Sequence, residues 1–312
     1  MHTILMDAAL RVAWQQWTAL GVSGTVELPD HAIDLEALMC FTPTLGSEDP
    51  RLREEALDWC VHQSKRLVSI TRLRHLRSQL SKEAREAFDD FAATVNATAK
   101  PRNAWPTDRT GPVARASGKS QAPDLLQPAL VQLRLRALFG MNARAEVLLQ
   151  FLRPVMTQET LPGMSQPLSV SALSDIGYSK PALTEVLTDL TMAGVLEKWR
   201  RSNRDYYELL RIEPLLGLIG GPLPAVAPNW ALRFRIAADL VAVETAQHGK
   251  KEIVQAVAFN REFERLQNDL ERANLKPPAA FDSQSVGRWA AETVLERHVQ
   301  NDTALRARQA HR

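Results

Sequence analysis

Residues 168–212 read LSVSALSDIGYSKPALTEVLTDLTMAGVLEKWRRSNRDYYELLRI, and two groups of side chains in this stretch are suited to contact with a polyanion. Lys180, Thr184 and Thr188 recur at intervals of four residues, so on a helix they share one short, hydrogen-bonding and nearly uncharged face. A helix entering the major groove of duplex DNA needs side chains of this kind near its N-terminus to reach base edges. The second group is Lys198, Arg200, Arg201 and Arg204, with no acid among them. Held together beside a phosphate backbone, each phosphate they neutralise would steepen the salt dependence of binding by about 0.9 log units.

The flanking residues predict the elements that position both groups. Ser169 stands before an apolar run (Val170, Leu173, Ile176) and is expected to cap a short helix that Gly177 ends. Gly177-Tyr178-Ser179 has the length of a tight turn, Ser179 is placed to cap a second helix, and Pro181 falls in that helix's first turn. The second helix should run to about Ala193, with Leu183, Val186, Leu187 and Leu190 inward and Lys180, Thr184, Glu185, Thr188 and Thr191 outward. Beyond Gly194, two runs of β-formers at 195–199 and 205–210 enclose the basic residues 200–204, which predicts a hairpin with a cationic tip.

Helix, short turn, helix, Ala193-Gly194-Val195-Leu196 and a basic hairpin together resemble the winged-helix regulators of the MarR and ArsR type. Residues 133–148 (LRLRALFGMNARAEVL) are similar to the first core helix of such domains, so the resemblance spans roughly 129–212. It implies a DNA-reading helix at 179–193 and a phosphate-contacting wing at 198–204. The residues expected at double-stranded DNA are therefore Ser169, Tyr178, Ser179, Lys180, Thr184, Thr188, Lys198, Arg200, Arg201 and Arg204, with Lys180, Thr184 and Thr188 at base edges and Tyr178 and Ser179 positioning the helix start. A transcriptional regulator in a bacterial cytoplasm, acting as a homodimer, is the implied role, because one reading helix covers only a few base pairs. The alternative is an antitoxin-like or adaptor protein whose winged helix and acidic N-terminal domain bind a protein partner, since a fold does not fix a function.

The chain has 312 residues, 45% of them hydrophobic, and a formal net charge of +2, enough for a real core in more than one domain. The expected class is mainly α: an N-terminal helical domain over 1–98, a basic flexible linker over 99–126, the winged helix over 127–212 and a C-terminal helical region over 213–312. Acidic residues are in excess in the first of these, and the basic excess is concentrated in the middle. Cys40 and Cys60, far from any CxxC pattern, read as buried free thiols of a reducing compartment. The N-terminus lacks the pattern of a signal peptide, and the uncharged stretch 214–232 holds too many prolines for a spanning helix.

Recognisable catalytic or cofactor chemistry is missing from the sequence. The histidines never reach ligand spacing, no HExxH, GxSxG or Rossmann glycine pattern occurs, and Glu54-Glu55 and Asp89-Asp90 read as solvated pairs whose side chains diverge on a helix. Ala116-Ser117-Gly118-Lys119-Ser120 imitates the end of a P-loop, but Val113 takes the place of its first glycine. No enzyme, metal or cofactor is therefore expected.

In order, helices are predicted at 3–20, 34–42 and 50–64, the last capped by Asp49 with Pro50 in its first turn. Lys65 to Arg85 is strongly basic. Ser69 should cap a helix there that turns Ile70, Leu73, Leu76 and Leu80 inward and Arg72 and Arg74 outward, either as a solvated face or as an accessory nucleic-acid or partner contact. Residues 99–124 show no period and read as the mobile linker. Further helices are expected over 127–139, over 143–153 with Asn142 as cap, and over 230–247, 252–274 and 283–300, with a loop at 159–167. The apolar seam Ala256, Phe259, Phe263, Leu266, Leu270 and Ala273 fits either an internal helix pair or a dimer interface.

Overall fold

Short polar side chains start the first helices. Thr3 caps α1 (Ile4–Ala19), Asp34 caps α2 (Leu35–Phe41), Asp49 caps α3 (Pro50–His62) and Ser69 caps α4 (Ile70–Ser78), each accepting the backbone N–H three residues on. The computed structural model describes residues 3–24, 27–99, 104–156 and 167–296. The chain continues through α5 (Lys82–Thr98), α6 (Val131–Phe139), α7 (Ala143–Met156), a 3-10 helix (Val170–Ile176), α8 (Lys180–Met192), β1 (Leu196–Arg201), β2 (Arg204–Leu209) and α9 (Glu213–Ile219). It ends in α10 (Trp230–Gln247), α11 (Glu252–Arg265), α12 (Gln267–Arg272) and α13 (Ser283–Trp289), the last running into a π turn. The fold is thus mainly helical, and among the described residues its one sheet is the antiparallel pair β1–β2. No described helix is long and apolar enough to cross a membrane.

Two apolar cores organise these elements. In the first, α1 to α5 close on α10 to α13 around Trp17, Trp59, Phe88, Trp230 and Phe259. Its tryptophans are polar-satisfied: the indole N–H groups of Trp17, Trp59 and Trp230 reach Thr42 Oγ1, the Leu20 carbonyl and the Ala32 carbonyl at 2.8, 2.6 and 2.8 Å. In the second core, α7, the 3-10 helix, α8, the hairpin and α9 enclose Phe151, Leu173, Leu187, Leu196 and Tyr207. Helix α6 belongs to both, with Leu133 in the first core and Val131 and Leu135 in the second.

A buried ion cluster joins the two lobes. The Glu36 carboxylate, wholly buried in α2, accepts both Nη groups of Arg136 at 2.7 Å, Nη1 of Arg72 at 2.9 Å and the Ser69 amide at 2.7 Å. Arg72 forks onto Asp34 at 2.5 Å, and Arg136 also reaches Glu146 and the Leu67 carbonyl, each at 2.7 Å. Gln132 bridges the rest, donating to Glu146 at 3.1 Å and accepting from the Leu35 amide at 3.1 Å. Arg72, placed outward by its helical position in the sequence, is therefore one of the most enclosed charges in the molecule, at 4% exposure. The apolar period registers which side is buried but not that a neighbouring flank meets carboxylates from other helices.

Other expectations also need correction. Residues 104–121, expected to be a flexible linker, lie as an extended strap on the first lobe. Trp105 is buried between Phe88 and Phe91, and its N–H and C=O pair with the Asn96 amide at 3.0 Å each. Farther along, Asp58 accepts from Gly118 N–H at 2.5 Å and from Ser120 N–H at 3.0 Å, and Gln121 N–H reaches the Gly21 carbonyl at 2.9 Å. Asp89 is not solvated: it is buried and receives a fork from Arg77 at 2.5 and 2.8 Å. The helix expected over 252–274 breaks at Leu266, and Phe259, Phe263, Leu266 and Leu270 enter the first core, so that seam is internal. Helix α7 continues through Pro154 to Met156, and the Pro/Gly-rich stretch 213–228 begins with the helical residues of α9. Cys40 and Cys60 are buried and unbridged, and burial pushes both thiols up. The loop expected at 159–167 lies outside the described residues except for Pro167, as does the predicted end of the last helix past 296.

The ion cluster makes stability depend on pH in a definite direction. Burial alone would raise the Asp34 and Glu36 carboxyls, but Arg72 beside the first, and Arg136 and Arg72 beside the second, hold both below their ordinary values of 3.8 and 4.5. Carboxyls lowered on folding contribute stability that is present above those ordinary values and lost as pH falls through the folded ones. Arg136→Met removes one of the two guanidinium groups at Glu36 and the nearer one at Glu146, and should lower the urea-unfolding free energy at pH 7 by about 3–5 kcal/mol. The deficit should narrow toward pH 4 as Glu36, held low mainly by Arg136 in the parent, takes up a proton. A variant as stable as the parent at pH 7 would show that the cluster does not hold the lobes together.

Candidate nucleic-acid interface

Ser169 opens the candidate surface. Its hydroxyl accepts from Ala172 N–H at 3.4 Å and meets Ser171 Oγ at 2.9 Å, while the preceding Leu168 pairs with Tyr207 by two backbone bonds of 2.8 and 2.9 Å. That rung fixes the start of the 3-10 helix against β2. The segment is 3-10 rather than α-helical. It is seven residues long, and its serines bond their own backbone and each other, as in Ser174 Oγ to the Ser171 carbonyl at 2.8 Å. Gly177 ends it in the left-handed conformation at φ 94°, where a Cβ would approach Arg72 Cγ at 3.1 Å and Arg72 Cα at 3.2 Å. Only a glycine lets the turn sit this close to α4.

Ser179 then caps α8, accepting from Ala182 N–H at 3.4 Å. Leu183, Leu187 and Leu190 are buried in the second core, and Lys180, Thr184, Glu185 and Thr188 are exposed on the opposite face. The Thr184 and Thr188 hydroxyls donate back to the carbonyls of Lys180 and Thr184 at 2.9 and 2.8 Å. In that rotamer each presents its oxygen to solvent as an acceptor and its methyl as an apolar contact. After Gly194 the chain enters β1, and Ser202 and Asn203 turn the hairpin with φ of 47° and 62°, the signature of a type I′ turn that matches strand twist. Trp199 stacks on Tyr206 across the strands at 4.9 Å between ring centroids.

These elements enclose one open groove. Ser169 and Ser171 from the 3-10 helix, Lys180 from the first turn of α8, and Arg200, Arg204 and Asp205 from the hairpin all line it. Three cations face a single carboxylate there, which gives a field that attracts anions. Of the residues expected at DNA, the structure brings Ser169, Lys180, Arg200 and Arg204 into this groove, leaves Thr184 and Thr188 on the adjoining exposed face of α8, and puts Arg201 on the exposed hairpin tip. Lys198 is exposed but partly neutralised by Asp205 at 2.8 Å, a bond that raises the Lys198 amine and lowers the Asp205 carboxyl.

Tyr178 lies at the helix start, as its expected positioning role requires, but does not line the groove. Its hydroxyl bonds Ser69 Oγ at 2.9 Å and its ring is half-buried against the first lobe, so it anchors the turn from inside instead of facing the groove. Burial pushes its phenol up, against the opposing effect of the Ser69 bond. A second clamp, equally hidden in the sequence, is the ion pair between Asp175 of the 3-10 helix and Arg272 of α12. Ser171 and Asn203 could have been found from their spacing, the first by its place beside the capping serine and the second as a turn residue tolerant of positive φ. The described residues hold no cluster suited to a metal ion.

Replacing Gly177 tests this mounting. Gly177→Ala should lower thermal stability by about 1–2 kcal/mol from the left-handed backbone alone, plus a further loss from contact with Arg72. Gly249→Ala, at φ 74° with open space around it, should show the first loss and not the second. Equal losses at the two sites would mean that α4 does not constrain the turn. No protein-family model, curated protein or solved structure matches the chain, which leaves the exposed face of α8 and the cationic groove as the features from which its activity is read.

Proposed function

We propose that the chain binds double-stranded DNA in a sequence-dependent manner, as a winged-helix transcriptional regulator acting in the bacterial cytoplasm as a homodimer. Helix α8 is the reading element and the β1–β2 hairpin the phosphate-contacting wing. The observation that carries this reading is the shared groove: Lys180, in the first turn of an exposed polar helix face, and two hairpin arginines line one surface. Lys180, Thr184 and Thr188 reach base edges, while Arg200, Arg201 and Arg204 neutralise phosphates. The threonine oxygens accept from adenine or cytosine amino groups and their methyls contact thymine, so Thr184→Ala changes which bases are preferred.

Binding of genomic duplex fragments, followed by fluorescence anisotropy across a salt series, tests the proposal. A subset of fragments should bind tightly. Arg200→Ala combined with Arg201→Ala should weaken all of them alike and flatten the slope of log K against log salt by about 2. Thr184→Ala should instead alter discrimination at one position by about 1–3 kcal/mol. Absence of salt-sensitive binding to any fragment, or a uniform loss from Thr184→Ala, would overturn the reading.

A further inference from the structure

The basic stretch that follows α3 has no role in the interface described so far. From Trp59 to Lys82 the chain contains no Asp or Glu. Two of its arginines are consumed internally, Arg72 in the buried cluster and Arg77 by Asp89. Lys65, Arg66 and Arg74 are exposed, and none forms an ion pair with a described residue. Unlike Arg85, which donates to the carbonyls of Ser78 and Leu80, they are also not folded back onto the local backbone.

Their place in the fold is specific. The same short segment touches the start of the reading helix: Ser69 bonds Tyr178, Arg72 lies under Gly177, and the Leu67 carbonyl holds Arg136 of α6. Arg66 directly precedes Leu67, whose carbonyl holds Arg136, and Arg74, about 200° round α4 from Arg72, lies on the solvent face of that helix. The Glu36 cluster and the Asp175–Arg272 pair keep this arrangement from swinging aside. A duplex that admits the first turn of α8 into its major groove, about 12 Å wide, must carry a phosphate strand past the protein surface next to that turn. The first lobe adjoins that turn through Ser69 and Arg72.

We propose that Lys65, Arg66 and Arg74 form a second phosphate-contacting patch, through which the N-terminal lobe grips the duplex flanking the bases read by α8. The inference rests on the DNA reading above. It extends the footprint from the hairpin to the far side of the reading helix and gives the first lobe a direct part in binding. Because the patch offers point charges and no base-edge groups, it adds affinity that is sensitive to salt and indifferent to sequence.

The test uses the full chain and a genomic fragment selected by the parent protein, in its full length and trimmed to the part that the triple variant described next still protects. The variant Lys65→Ala/Arg66→Ala/Arg74→Ala, with Arg74→Gln alone as a milder second variant, is compared with Arg200→Ala/Arg201→Ala. Thermal melting monitors folding. On the long fragment the triple variant should flatten the salt slope by about 2 to 3 and shorten the hydroxyl-radical footprint on one side, leaving base preference unchanged. Arg74→Gln should flatten it by about 1. On the trimmed fragment the triple variant and the parent should differ little. If the hairpin variant loses slope while the triple variant keeps slope and footprint, this inference fails and the DNA reading stands. If the parent shows no salt-dependent duplex binding, or prefers single-stranded RNA of equal length, both fail together.

Discussion

Glu36 is a full charge with no access to water, and the arrangement of both lobes follows from how it is neutralised. One guanidinium reaches it from α4 and one from α6, so neither lobe alone completes its environment. Taking carboxylates and guanidinium groups out of water costs several kcal/mol per ion, and an incomplete cluster is far less stable than a complete one. A greasy contact of the same size could hold the lobes as firmly, but it would let them slide. Forked bonds between planar groups act only over a narrow range of angles. The cluster therefore sets the attitude of α6 and α7, and with them of α8 and the hairpin, relative to the first lobe.

Local chemistry was readable from the residues. Ser69, Asp49, Ser169, Ser179, Gly177 and the leucine stripe of α8 do what their positions suggest, because a cap or a left-handed turn involves neighbours three or four residues away. The exposed threonine face and the basic hairpin follow from the same short-range patterns. Arg72 was not readable, since the period of Leu73 and Leu76 identifies a buried side but cannot say that the flank beside it meets Asp34 and Glu36 from α2 and Glu146 from α7. The inward role of Tyr178 was hidden for the same reason. A tyrosine in a polar turn looks exposed until the serine 109 residues earlier is brought to its hydroxyl.

The division of the chain was harder still to see. Apolar spacing in α10 and α11 correctly marks Leu240, Phe259 and Phe263 as buried, yet it carries no address, and these side chains close on helices from the opposite end of the sequence. Helix α6 has leucines on two faces, which reads as an ordinary core helix until Leu133 and Leu135 are found in different cores. Helix α8 thus sits on a frame assembled from the beginning, middle and end of the chain.

The strap over residues 104–121 shows how far composition can mislead about independence. Pro, Gly, Ser and Arg rule out a regular element there, but extended backbone can be pinned by a few acceptors and one large ring. Gly111 lies so close to α5 that an added Cβ would sit 2.5 Å from the Ala93–Thr94 backbone. Excising the first hundred residues along this apparent seam would not release an intact body. It would pull an indole out of the aromatic layer of α5, leave the enclosed Asp58 carboxylate without its two amide donors, and open the interior of the N-terminal helices to water. What looks like a tether is one of the walls.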